Sequence, residues 1–393
     1  MTSARTAHRP LRDQDLAVDR ALADLAGSFR FLVDVTPLDL VEARQRFERD
    51  GRPPTLRYRD LEDDPALAQR RLREVPLDEV EDPAVASLLQ AKARELELQL
   101  EMLACRGRPE FRSLSVELFG AVGPRLLEEA WDILRTVTPT PPGRGPSLGA
   151  DEIVAAAEAE LDEYRRVDPD LGVHVEIRDG TTGLMVSNGD LLVAPTSRVA
   201  ASRVGPLLHH EIGVHVLTYV NGSRQPLRVL ATGLAGHEET QEGLAVLAEH
   251  LTGGLTANRL RQLAARVVAV HQMLEGADFP EIHRALRGVG VPAGSAFAIT
   301  TRVVRSGGLT KDAVYLRGLR DVVDHVAAGH GLDELWLGKM PLAAVPLVAE
   351  LHQRGALVDP LLRPRFLDDP SAAARLADLP QVSSLTALIG DPA

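Results

Sequence analysis

Leu208-His209-His210-Glu211-Ile212-Gly213-Val214-His215 decides how this chain is read, because it puts two imidazoles and a carboxylate on one helix. Histidines four residues apart, as in the HExxH helix of zinc hydrolases, differ by about 40° around the axis and converge on one ion. Here the spacing is HExxxH. Five residues of regular helix set His210 and His215 about 140° apart, too far for one tetrahedral ion unless the helix is unwound or bulged between them. Gly213 lies where that distortion is needed. A mid-helix glycine costs up to about 1 kcal/mol relative to alanine, so its presence signals a departure from regular helix. Val204, Leu207, Leu208, Ile212, Val216 and Leu217 seat this helix in a core; its expected span is Ser197 to Thr218, ended by Asn221-Gly222.

So short a pattern also arises by chance on buried helices, and its surroundings carry the argument. Five of the twelve histidines (His209, His210, His215, His237, His250) fall between residues 209 and 250, with Glu211, Glu238, Glu239, Glu242 and Glu249 among them. That mixture suits a borderline-soft divalent ion such as zinc. A third protein ligand would leave one position open for water, and Glu238, Glu239, Glu242 and Glu249 on the next helix supply candidates. His209 points away from the ion, since helix neighbours lie about 100° apart, and is expected to be a hydrogen-bonded residue of the core or of the shell behind the ligands. Glu249 is nearly in line with Glu242 and within reach of a hydrogen bond near the site, but its expected role is that of a solvated surface carboxylate.

HEIGVH followed by Gln241-Glu242-Gly243-Leu244-Ala245 resembles the family named for its QEGLA motif, which includes the microtubule-associated tyrosine carboxypeptidases and bacterial members. The resemblance covers most of the chain. It implies a zinc metallopeptidase with His210, His215 and Glu242 as ligands of Zn2+ and Glu211 as catalytic base, leaving Glu238 and Glu239 as fallback ligands. It also implies a carboxypeptidase that trims a C-terminal residue, aromatic or tyrosine-like, from a peptide or protein. The block from Thr300 to Gly318 is similar to the family as well. There Arg302, Arg305 or Lys311, with the Tyr315 hydroxyl, would hold a substrate carboxylate and polarise the scissile carbonyl, or would be ordinary cations at helix ends. Thr310 is expected as a new N-cap.

Composition narrows the remaining classes. Forty-four basic against fifty-six acidic residues give a net charge of −12, which argues against general nucleic-acid binding and against long-range attraction of very acidic substrates such as the tubulin tails cut by the animal relatives. The single cysteine, Cys105, excludes an intramolecular disulfide and a cysteine-built zinc site, and reads as a small core or rim residue in the last turn of a helix rather than a nucleophile. No apolar run of about 18 residues occurs and the start of the chain has no apolar signal segment, so a soluble, cytoplasmic protein without a membrane partner is expected.

The expected fold is α+β and mainly helical: a zinc-peptidase-like core with a small, mostly antiparallel sheet beside the metal helix, preceded by N-terminal helices. Residues 1–136 form the N-terminal helical region, 137–149 a Pro/Gly-rich linker or loop, and 150–393 the catalytic region. Asp82, Pro83 and Gly107 bracket the clearest N-terminal helix. Pro54–Arg59 reads as an extended strap. Period-two alternation at 173–177 and a hairpin around Asn188-Gly189 supply the sheet, and Ser371 to Ala393 reads as a loosely held tail. Two other functions share these features: a metal-binding regulatory protein with a vestigial site, and a zinc hydrolase of a non-peptide amide. Glu211 favours an enzyme, since a structural ion has no use for a base beside its ligand.

Overall fold

The computed structural model describes residues 11–141, 145–179, 181 and 183–389. Helices dominate. In the N-terminal part they run Asp13–Gly27, Phe31–Asp34, Leu40–Asp50, Pro65–Arg73, Pro83–Ala104, Glu110–Phe119 and Pro124–Thr136. Asp82 caps the longest of these by accepting from the Ala84 and Val85 amides, and Leu89, Leu96 and Leu100 form its fully buried stripe. The helix Pro65–Arg73, capped by Asp64, was not anticipated from the sequence. The segment Pro54–Arg59 is irregular and lies across the helices as a strap: Arg106 donates to the Arg59 carbonyl and the Tyr58 hydroxyl accepts from the Ser306 amide at 2.6 Å.

The sheet is small and has two parts among the described residues. Strand β1 (Ser147–Leu148) pairs antiparallel with β5 (Val199–Ala200). The other part has the order β2 (Val175–Ile177), β4 (Asp190–Val193), β3 (Leu184–Ser187). The β3–β4 hairpin turns at Asn188 and Gly189, both at positive φ (51° and 90°), and puts Ser187 opposite Asp190. β2 joins β4 in parallel, so two of the three pairings are antiparallel. The parallel pair could not be read from alternation alone, because period two is the same for both directions.

The largest apolar core runs from Val18 to Leu388 and includes Leu89, Val214, Leu244, Val268 and Trp336. A second core beneath the sheet gathers Ile153, Leu161, Tyr164, Leu191, Leu208, Ile212 and Val216. The metal helix is wedged between them, with Val214 on one side and Ile212 and Val216 on the other. Its position is therefore fixed from two directions. Of the proline-rich stretch, residues 142–144 lie outside the described residues, and Thr140 exchanges two hydrogen bonds with Asn258.

Two expectations are corrected here. The stretch from Ser371 is not a loose tail as far as Ile389: a helix (Pro370–Asp378) and short turns bury Ala372, Leu379, Leu385 and Leu388 in the main core. His250 Nδ1–H fixes the far end by donating to the Leu388 carbonyl at 2.8 Å. Residues 390–393 lie outside the description. Asn221-Gly222 is not a helix terminator, because the helix continues to Ser223. Asn221 is buried, donates to the Trp336 and Leu362 carbonyls and accepts from the Leu362 amide. A Cβ on Gly222 would strike the Leu230 backbone.

Candidate metal centre

The turn between the two histidines is the distorted element the spacing requires. Regular helix runs Ala201–His210, a single wide π-type turn covers Glu211–Val216, and regular helix resumes at Leu217. The extra residue in that turn rotates His215 back toward His210, whose rings lie 5.2 Å apart at 77°. Gly213 sits inside the turn, where a Cβ would come within 3.1 Å of the Phe366 ring.

Glu242 arrives on the helix His237–Leu251, which crosses Val314–Ala327 at backbone contact. A Cβ on Gly243 would land on the Gly318 carbonyl, and one on Gly318 would land on the Glu239 carbonyl. The glycine after Glu242 therefore lets two helix backbones meet, which brings Glu242 beside Lys311 and Tyr315.

His210 Nε2 and His215 Nε2 each lie 3.8 Å from Glu242 Oε2, and the donor atoms of all three lie within 4.8 Å of one another. Ligands at about 2.0–2.1 Å from one tetrahedral ion stand roughly 3.3 Å apart, so a modest contraction converts this cluster into a zinc site. The rear nitrogens agree with that reading. His210 Nδ1–H donates to Glu249 Oε1 at 3.0 Å, and His215 Nδ1–H to Gln241 Oε1 at 3.4 Å, which turns both Nε2 lone pairs inward. Gln241 is held in turn by the Thr218 hydroxyl at 2.8 Å.

Electrostatics sort the carboxyls. Burial, joined by the nearby Glu242 charge, pushes Glu211 up to about 7. Burial also acts on Glu242, yet Lys311, the two histidines and a hydrogen bond from Tyr315 hold it down to about 2. Burial pulls His215 down to about 4. The same burial acts on His210 but is outweighed by the Glu249 hydrogen bond and the surrounding carboxylates, and its pKa is raised. Glu242 is thus ionised and His215 neutral, as ligands must be.

Glu249 is a correction. It is fully buried rather than solvated, and besides His210 it accepts from Arg203 at 2.7 Å and Arg259 at 3.2 Å. Three cationic or donor groups thus compensate its burial and hold its carboxyl well below the usual range. The sequence signal was its seven-residue offset from Glu242; what was missing was the pair of arginines that make burial affordable. His209 points away from the ligands as expected, its ring edge-on to Phe366, but its Nδ1 stands 3.8 Å from Glu160 without a hydrogen bond. Thr310 is no N-cap: its hydroxyl donates to the Ser115 carbonyl.

The block of cations divides. Lys311 Nζ lies 3.5 Å from Glu242 Oε1 and 3.7 Å from Glu238 Oε2, and Tyr315 reaches Glu242, so these two join the histidines and Glu211. Arg302 is turned to Asp312 in a two-pronged pair at 2.6 and 2.7 Å. Arg305 is buried and donates to the Thr36 hydroxyl at 3.1 Å. The fallback ligands are otherwise engaged, Glu238 with Lys311 and Glu239 with Arg317. Sequence reasoning did not single out Arg266, Asp312 or Lys339; Lys339 stands 5.4 Å from the Tyr219 ring centroid, and burial lowers it to about 8.

No helix among the described residues is long and apolar enough to cross a membrane. No curated protein matches the chain. Among solved structures, a putative lipoprotein from Colwellia psychrerythraea is similar at a TM-score of 0.47 and 12% identity, over 72% of this chain and 66% of that one, so this chain spans just under two thirds of its length. The family model described as microtubule-associated tyrosine carboxypeptidase matches residues 45–383, which include both histidines and Glu242. With that match over most of its length and a His210, His215, Glu242 cluster fit for zinc, this chain belongs to the microtubule-associated tyrosine carboxypeptidase family of HExxxH zinc metallopeptidases.

Proposed function

We propose that the protein is a zinc carboxypeptidase that removes the last residue of a peptide or protein, with His210, His215 and Glu242 as ligands and Glu211 as general base. The observation that carries this reading is the meeting, in one half-buried place, of those three donor groups with Glu211, whose Oε1 lies 4.0 Å from His210 Nε2. Zinc held by the three side chains supplies an acidified water and polarises the scissile carbonyl. Glu211 takes the proton of the attacking water and returns it to the leaving amine. Tyr315 and Lys311, both at Glu242, hold that ligand ionised; with substrate bound, the single Tyr315 hydroxyl hydrogen turns from Glu242, and a Lys311 ammonium hydrogen joins it, toward the oxygen on which charge develops. Arg302 and Arg305 belong to the cationic wall beyond Tyr315 that receives the terminal carboxylate.

Removal of the base tests the assignment. Glu211→Gln is expected to retain zinc at one equivalent while turnover of C-terminal peptides falls by about 10²–10⁴-fold. Retained turnover in that variant removes Glu211 from the role, and internal cleavage without C-terminal trimming removes the carboxypeptidase assignment.

A further inference from the structure

The wall beyond Tyr315 contains more positive charge than it neutralises. Arg266, Arg302 and Arg305 gather around one carboxylate, Asp312, which is fully buried. Asp312 is already used: Arg302 occupies both of its oxygens, at 2.7 and 2.6 Å. Arg266 Nε lies 3.8 Å from Asp312, too far for a hydrogen bond, and both Nε and Nη1 of Arg266 are buried without any partner. Its side chain is only 11% exposed. Besides this distant share of Asp312 it has a ring: the guanidinium carbon sits 4.7 Å from the centroid of Tyr315. A buried guanidinium with unmet donors is costly, and that cost is met when an anion arrives.

We propose that Arg266 is the guanidinium that receives the terminal carboxylate of the substrate, and so sets the requirement for a free C-terminus. This inference rests on the carboxypeptidase reading above and assigns within it a residue that the motifs do not mark. Position supports it. A carboxylate one residue beyond the scissile carbonyl stands within about 3.8 Å of it, so its receiver must lie roughly one side chain from the ion. Tyr315 links Arg266 to the ligand Glu242: its ring lies against the Arg266 guanidinium and its hydroxyl reaches Glu242. Arg302 is unsuited as the primary receiver because Asp312 engages its fork, and Arg305 because Nη1 is turned to Thr36 and Nε alone is left without a partner, against Nε and Nη1 on Arg266. Arg302 is 34% exposed and marks the side from which the wall opens to solvent.

Binding can be separated from turnover in the zinc-loaded Glu211→Gln protein. The probes are an N-acetylated tripeptide ending in phenylalanine with a free carboxyl, and the same tripeptide as its C-terminal amide, titrated calorimetrically. A charge-assisted fork predicts a roughly 10- to 100-fold preference for the free acid. Adding Arg266→Met should reduce that preference to near one, and Arg266→Lys should restore only part of it, because an ammonium lacks the fork. Since Arg266→Met removes a buried guanidinium whose donors lack hydrogen-bond partners, its melting temperature is expected to equal or exceed that of the parent. A preference for the acid that survives Arg266→Met, or a parent that binds acid and amide equally, overturns the assignment. If the parent prefers the acid while the wild-type protein cleaves no peptide, the carboxylate receiver stands and the peptidase reading falls.

Discussion

The two arms that enclose the metal centre are built on opposite plans. One arm, Ala201 to Ser223, is local: the end of a regular helix and the wide turn after it supply both imidazoles and the Glu211 carboxyl from six consecutive residues. The other, Arg302 to Gly318, depends on remote partners. Its serine amide is held by Tyr58, its Thr310 by Ser115, its Arg305 by Thr36, and its helix by the backbone of Gly243. A local arm tolerates change in its surroundings so long as its turn survives. A remotely assembled arm fails when any distant contact is lost.

Two glycines beside ligands sharpen that contrast most strongly. In mid-helix a Gly→Ala change ordinarily stabilises by up to about 1 kcal/mol. Gly243→Ala must instead force apart two helix backbones, and a loss of about 3 kcal/mol or more is expected, with zinc retention falling as Glu242 moves away from the histidines. Gly213→Ala meets only the edge of the Phe366 ring at 3.1 Å, which rotation can relieve, so its net effect should stay within about 1 kcal/mol of zero. Thermal melts of both variants, with zinc counted per chain, check the ordering. Equal losses would mean that the local turn is as tightly constrained as the helix crossing.

The next test concerns the support behind His210. Glu249→Gln keeps the shape but replaces an ionised acceptor by an amide, leaving Arg203 and Arg259 without their shared counter-ion. Zinc affinity measured against a competing chelator should fall by about 10- to 100-fold, with the ligand atoms themselves unchanged. Unaltered affinity would show that the wide turn alone orients His210, and the first arm would then be local in its energetics as well as in its sequence.

This division also explains what the chain's letters disclosed. The spacing of His210 and His215 demanded a bulge, since no regular helix can join them, and Asn188-Gly189 demanded a hairpin; both constraints act over six residues or fewer. The letters of the QEGLA motif became physical only in the fold: Gln241 orients His215, Glu242 faces the ligand cluster, and Gly243 admits Gly318. Glu249 could not be placed from its own helix, because a carboxylate seven residues on is surface or core according to what another helix brings to it. Arg266 was invisible for the same reason: an arginine on a helix says nothing of whether it has a counter-ion. The C-terminal stretch was misread because alanines and isolated leucines show weak periodicity, whereas their burial depends on a groove made by helices earlier in the chain.

A smaller effect probes assembly over a long span. Asp19 is fully buried on the helix Asp13–Gly27 and accepts from the Arg228 and Val229 amides at 2.6 and 3.0 Å, so it caps the helix Val229–Thr232 from the other end of the sequence. Burial outweighs those two amides and raises its carboxyl to about 6. A carboxyl whose pKa is higher folded than unfolded adds stability that is complete below its unfolded value, near 3.8, and is lost as pH rises through about 6. Comparison with Asp19→Asn removes the titration while leaving every other group in place. The stability gap between wild type and variant should therefore widen, on the order of 1 kcal/mol, as pH is lowered from about 7 to about 5. A gap that narrows on acidification would mean that the two amide bonds prevail over burial and that Asp19 caps as an ionised carboxylate, which would make this remote cap as strong as a local one.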